Sequence, residues 1–276
     1  MPSYRGNLGN ILQHWVLCEI LRAGTTTNAR HLRFVDAHAM SPSTTDRLDA
    51  TSQLFDRARK RLPGECTPYE VAWNALVPHG SSYPNSAAFL VSLWPRQYSL
   101  LLCESDSKTV DDLRTWAETV RLSPTCMNVE VAEGDWRERF SSGIDLRADL
   151  LFVSFDPYMF DRNGPGRTFR TGNMYPCDLD RLAAAIAPIS QGVVVQLSTY
   201  SANNNNPQQM VIDVVSSRVA PSMLEIAAVI RADGNMMSLV LTRNLSWVDS
   251  LRELPPRFAA WLSNLKGESG RQNGSS

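Results

Sequence analysis

The strongest constraint on this chain is an alternation of short apolar runs with segments of helical periodicity, sustained from about residue 98 to residue 200. Strands are read at Tyr98 to Cys103, Asn128 to Ala132, Asp149 to Phe155 and Val193 to Leu197. Helices fall between them at Val110 to Val120, near Trp136 and at Leu179 to Ile186. Runs that are apolar on both faces and separated by helices predict a mostly parallel sheet covered on both sides. Upstream, apolar residues at Leu8, Ile11, Leu12, Trp15, Val16, Leu17, Ile20 and Leu21 predict an amphipathic helix over residues 8 to 23, ended by Gly24. Leu32-Arg33-Phe34-Val35-Asp36 reads as the first strand. Downstream the pattern changes. Helix Pro207 to Ser217 leads to β-rich segments Leu224 to Arg231 and Met236 to Thr242, joined through Asp233-Gly234, a hairpin signal.

Five parallel strands closed by a C-terminal hairpin is the layout of the Rossmann-like methyltransferase sheet, an α/β class, and other doubly wound enzymes share the pattern. Residues 1 to 266 are expected to form one domain, with a helical insertion at about 43 to 95. The insertion holds a charged helix around Arg47 to Arg61, a break at Pro63-Gly64, a helical segment near Tyr69 to Leu76 and a helix starting near Pro84. Residues 267 to 276 are polar and glycine-rich and read as a disordered tail.

Composition narrows the function classes. With 27 basic against 28 acidic residues and 43% apolar content, the chain is globular rather than disordered. No apolar run approaches the ~18 residues that cross a bilayer, so no membrane partner is expected. The start, Met1 to Asn7, lacks a signal-peptide pattern, which points to the cytoplasm. The five cysteines form no C-x-x-C and are expected as free, mostly buried thiols. His14, His31, His38 and His79 have no metal-ligand spacing, so no metal is expected. A net charge of −1 excludes a generally basic nucleic-acid coat but leaves room for a local patch.

In doubly wound sheets ligands bind outside the carboxyl ends of the strands. Here those ends are acidic: Asp36 followed by His38, then Glu104 and Asp106, then Glu133-Gly134-Asp135, then Asp156-Pro157-Tyr158. Carboxylates in succession suit a ligand with ribose hydroxyls, an adenine amino group and an ammonium, all donors. S-adenosylmethionine carries all three. The turn after the first strand, Asp36 to Pro42, contains no glycine. Met40 and Pro42 do not readily take positive φ, so either this loop follows a different path or the cofactor site has decayed. In Asp156-Pro157-Tyr158 a carboxylate and a backbone carbonyl can hold an exocyclic amine while an aromatic ring, Tyr158 or Phe160, stacks on its base. Arg57, Arg59, Lys60 and Arg61, with Arg162, Arg167 and Arg170, are candidate phosphate contacts.

An ordered set of motifs then resembles the RlmJ family, the large-subunit ribosomal RNA adenine-N6-methyltransferases. Ser3-Tyr4-Arg5 resembles its S-Y-R, and Gly6-Asn7-Leu8-Gly9-Asn10-Ile11-Leu12-Gln13-His14 its G-N-x-x-D-x-x-K-H. Phe34 to Ala39 is similar to its x-x-D-T-H-A-G-A-G, Tyr83-Pro84-Asn85-Ser86 to its Y-P-G-S, and Asp156-Pro157-Tyr158 to its D-P-P-Y. The family aspartate and lysine are Asn10 and Gln13 here, and one proline is missing from D-P-P-Y. The resemblance implies S-adenosylmethionine as cofactor, held by His14, Asp36, His38, Ser86, Glu104, Glu133 and Gly134. It implies Asp156 on the target amine, Tyr4 beside the active site, and RNA as partner. Two other functions fit the residues: methyl transfer to a small molecule or peptide, and a non-catalytic protein of this fold that binds a partner, whose identity the sequence leaves unknown.

Overall fold

The structure is a computed structural model in which residues 7–42, 66–77, 83–141, 143–162, 164, 170, 172–200, 208–232 and 236–272 are described. Helix α1 (Leu8–Thr25) is followed by β1 (His31–Asp36), α2 (Pro68–Leu76), α3 (Ser86–Leu93), β2 (Gln97–Glu104), α4 (Ser107–Arg121) and β3 (Cys126–Glu133). Next come α5 (Trp136–Ser141), β4 (Leu150–Phe155), the two-residue strands β5 (Met159–Phe160) and β6 (Asn173–Met174), α6 (Pro176–Ile186) and β7 (Gly192–Tyr200). The chain ends with α7 (Gln208–Val219), β8 (Glu225–Ala232), β9 (Met236–Arg243), α8 (Val248–Arg252) and α9 (Leu254–Gln272).

Seven strands form one sheet in the order β3-β2-β1-β4-β7-β9-β8. The first five in that order are parallel, and β9 runs antiparallel to both β7 and β8. This is the mostly parallel sheet closed by a hairpin that the alternation predicted. Strand order reverses between β1 and β4, so their carboxyl ends frame a crevice that neither crossover fills.

The central strands are apolar on both faces because each face carries its own core. Phe34, Leu100, Phe152, Val194 and Val240 pack on the side of α1, α3 and α9. Val35, Leu101, Val153, Val195 and Leu239 pack on the side of α5, α6 and α7. Side chains that alternate at period two sort themselves into these layers. Near the carboxyl ends the α1 face turns polar: Asp36, Ser154 and Gln196 stand in register on β1, β4 and β7.

Three expectations are corrected. First, α1 is not amphipathic: every residue from Ile11 to Leu21 is buried, Gln13, His14 and Glu19 included. It is enclosed by the sheet, by α2 and α3, and by the C-terminal helices, so its polar groups need internal partners. Gln196 Nε2 donates to the Gln13 carbonyl at 2.8 Å, and Glu19 accepts from Arg257 at 2.6 Å and Arg22 at 3.1 Å. Second, the tail expected from Gly267 is helical as far as Gln272, because α9 is anchored by Leu254, Phe258, Trp261 and Leu265 on the α1 core and propagates from there. Third, thiol burial is mixed: Cys18 and Cys103 are buried, whereas Cys66 and Cys177 are exposed.

Within the insertion, Tyr69, Trp73, Tyr83 and Phe89 belong to the same core as α1. The charged helix at Arg47 to Arg61 lies outside the described residues. No helix among the described residues is long and apolar enough to cross a membrane.

Candidate active site

A cleft opens at the β1/β4 reversal, lined by Asn10, Gln13, His14, Asp36, His38, Met40, Ser41, Tyr83, Pro84, Asn85, Ser86 and Asp156. Asp36 ends β1, and Asp156 immediately follows β4. The loop between Asp36 and Pro42 reaches the cleft without positive φ, a conformation that the described non-glycine residues adopt only at Met223 and Asn244. It is held from outside instead. Ala37 and Ala39 donate backbone bonds to Ser154 and Cys103 at 3.0 and 2.9 Å. Asn85 Nδ2 donates to the Met40 carbonyl at 2.7 Å. A path pinned at three points needs no glycine.

The residues behind Asp36 form a buried hydrogen-bonded chain. The Ser86 hydroxyl lies 3.1 Å from His14 Nε2 and accepts from Gln13 Nε2 at 3.3 Å. His14 Nδ1 lies 3.0 Å from the Tyr83 hydroxyl, which is 3.4 Å from that of Tyr69. Burial pushes His14 down to about 3, so its ring is neutral and carries one proton. One assignment satisfies every group: Tyr83 donates to Nδ1, Nε2 donates to Ser86, and Ser86 donates to Asp36. Asp36 also accepts the His38 amide at 3.2 Å. Its carboxyl is thus held at a fixed angle before any ligand arrives.

Electrostatics follow from burial. Desolvation pushes Asp36 up to about 7, with the charges of Asp156 and Glu104 adding to it and the His38 and Ser86 hydrogen bonds opposing it. Asp156 is likewise pushed up to about 7 by burial. His38 is pushed down to about 3, chiefly by burial and further by the Arg137 charge. The Asp156 amide donates to His38 Nδ1 at 3.3 Å, so the ring proton sits on Nε2, a buried atom with no hydrogen-bond partner. A cleft with two strained carboxyls and two neutral imidazoles favours a ligand that brings hydrogen-bond donors and positive charge.

Of the residues expected here, His14, Asp36, His38, Ser86 and Asp156 are brought together. Glu104 stands at the margin, its Oε1 accepting the Ser105 and Asp106 amides at 2.7 and 2.9 Å. Glu133 lies on the neighbouring strand in a half-exposed pair with Arg114 at 3.1 Å, and Gly134 serves the turn beyond it with φ +116. Pro157 is buried and Tyr158 is 68% exposed. Phe160 is fully buried in the core of the α6 face, so it cannot offer a stacking surface, which corrects that assignment. Arg162 is half-buried and Arg170 exposed, and neither lines the cleft. Tyr4, Arg167 and the cluster Arg57 to Arg61 lie outside the described residues. Asn10, Gln13, Met40, Ser41, Tyr83, Pro84 and Asn85 line the cleft without having been chosen as site residues. Five of these sit in motifs already noted, at Gly6 to His14 and at Tyr83 to Ser86, which was the available signal.

No family model matches the chain, and no curated protein matches its sequence. Among solved structures, protein LPL1258 from Legionella pneumophila, of family model DUF519, superposes with a TM-score of 0.58 at 14% identity, over 91% of this chain and 92% of that one. Aeropyrum pernix fibrillarin in complex with natively bound S-adenosyl-L-methionine gives a TM-score of 0.40 at 11% identity, over 82% and 76% of the two chains. Strand order, the antiparallel β9 and the position of the cleft together make this a Rossmann-like methyltransferase fold.

Proposed function

We propose that this protein is an S-adenosylmethionine-dependent methyltransferase acting on an amino nitrogen, with adenine in RNA as acceptor. The observation that carries the reading is the pair Asp36 and Asp156 facing one cleft at the strand-order reversal, with an exposed aromatic, Tyr158, two residues beyond Asp156. The cofactor fits the residues present in chemistry: its ribose, adenine amino and ammonium groups are donors, and the cleft supplies carboxylate acceptors in Asp36 and Asp156. Asp36, oriented by Ser86 and His14, would accept from one of those donor groups. When bound, the cofactor supplies an electrophilic methyl group.

The remaining work falls to this chain. Asp156 and the backbone carbonyls beside it accept the N–H bonds of the target amine and turn its lone pair toward the methyl carbon. Tyr158 stacks on the base that carries the amine, which must be unpaired or flipped to reach it. After attack the nitrogen sheds a proton, which Asp156, pushed up to about 7, would receive or pass to solvent. Arg162 and Arg170, in the segment that follows Tyr158, would meet the phosphate backbone.

A small-molecule acceptor is the second reading, favoured by one observation: no lysine or arginine is among the described residues that line the cleft. Both readings require the cofactor. A thermal shift with S-adenosylmethionine or S-adenosylhomocysteine at about 100 times the dissociation constant should stabilise the fold by about 2.7 kcal/mol, a rise of roughly 5 to 10 °C. No shift, with no heat of binding by calorimetry, removes both and leaves a non-catalytic binding protein.

A further inference from the structure

Arg137, in the first turn of α5, is 7% exposed and takes no part in the cleft lining. Its guanidinium donates from Nε and Nη2 to the two oxygens of Asp178, each at 2.8 Å, and from Nη1 to Asp135 at 2.9 and 3.0 Å. Nη2 also donates to the Asn173 carbonyl. The same group lies over the Trp136 ring at 4.9 Å and the Tyr175 ring at 5.9 Å. A planar fork that meets two carboxylates and two aromatic faces at once cannot be replaced by a lysine.

The contacts with Asn173, Tyr175, Asp178 and Trp136 lead to the segment after β4, while Asp135 anchors the guanidinium from the β3–α5 turn. Asn173 lies in β6, whose pairing with β5 holds that segment, since Tyr158 and Asp161 donate to the Gly172 and Met174 carbonyls, each at 2.8 Å. Tyr175 accepts the Arg170 amide on its hydroxyl at 3.0 Å, and its own amide donates to Asp178 at 2.9 Å. Trp136 stands edge-on to His38 with centroids 6.3 Å apart, and His38 receives the Asp156 amide. One buried cation therefore supports Asp156 through the tryptophan and histidine, and Tyr158 through the small ribbon.

We propose that Arg137 is a positioning residue that fixes the geometry between Asp156 and Tyr158, and so the acceptor wall of the cleft. The proposal rests on the reading of that segment as the acceptor side. The alternative is that Arg137 merely docks α6 through Asp178.

Amide hydrogen exchange separates the two, with Arg137→Lys keeping the charge and losing the fork. Positioning predicts that the Tyr158, Asp161 and Asp156 amides exchange about tenfold faster or more while α6 and β7 keep their protection and the S-adenosylmethionine dissociation constant stays within about twofold. With a short adenine-rich RNA as the probe, the KM for RNA should rise about tenfold. Unchanged exchange at Tyr158 and Asp161, or protection lost evenly across α6 and β7, overturns the proposal. Asp135→Asn spares the buried Asp178 fork and should give the same pattern at smaller amplitude, so it decides the matter if Arg137→Lys does not fold. Wild-type protein that fails to bind the cofactor would sink the functional reading alone, because the exchange experiment needs no ligand.

Discussion

Asp36 is a carboxyl group that the fold makes hard to ionise, and that has a measurable sign. Its folded value of about 7 lies above the ordinary 3.8, so the unfolded chain releases its proton first and this group makes stability fall as pH rises from about 4 to 7. Asp156 acts in the same direction. His14 and His38, pushed down to about 3 from 6.5, act oppositely, because the unfolded chain binds their protons first and stability is lost as pH falls through that window. Two groups of each kind nearly cancel between about pH 4 and 6.5. Asp36→Asn removes one falling contribution. Relative to wild type, the variant should therefore gain on the order of 2 kcal/mol between about pH 4.5 and 6.5, read from urea denaturation at both values. A constant difference across that range would mean that Asp36 ionises normally and that the cleft is wetter than its lining implies.

At the scale of elements, α1 and α9 depend on each other. Helix α9 brings Leu254, Phe258, Trp261 and Leu265 against α1, where Trp15 meets Phe258 and Trp261 at centroid distances of 5.2 and 6.0 Å. Arg257 closes the contact on the buried Glu19 at 2.6 Å. Burying each large apolar side chain contributes about 1.5 to 3 kcal/mol, and a stranded buried carboxylate costs more. A chain ending at Glu253 should therefore lose more than about 5 kcal/mol, enough to leave a typical domain unfolded by circular dichroism. A folded product with a near-native Tm would mean that α9 only lies on the surface. No element was read here, although Leu254, Phe258, Trp261 and Leu265 follow helical spacing and Pro255 and Pro256 fall in a first turn that needs no amide donors. The glycines at 267 and 270 drew attention to the wrong end. Full burial of α1 was not legible, because its polar residues are matched by groups far away in sequence, such as Gln196 and Arg257.

Across the whole molecule, the sheet was readable because its strands are short, apolar on both faces and bounded by helices, and the acidic ends pointed to the right edge. Which of those ends share a cleft depends on strand order, which local pattern does not encode. Asp36 and Asp156 are neighbours only because β4 crosses to lie beside β1, whereas Glu133 is carried outward on β3. The same geometry makes chemistry separable from folding. Two cores on opposite faces hold the crevice open, and Asp156 belongs to neither. Asp156→Asn replaces a carboxyl that burial disfavours with an amide of the same shape, so stability at neutral pH should hold or rise slightly. The thermal shift with S-adenosylmethionine should persist, because Asp36 and its hydrogen-bonded chain remain. Methyl transfer should fall by about a hundredfold or more, since the amide NH2 presents donors where the amine needs acceptors and the lone pair is no longer aimed. Transfer at the wild-type rate would remove Asp156 from the mechanism. A wild-type protein that binds cofactor yet methylates small amines and not RNA would keep this geometry and change the acceptor.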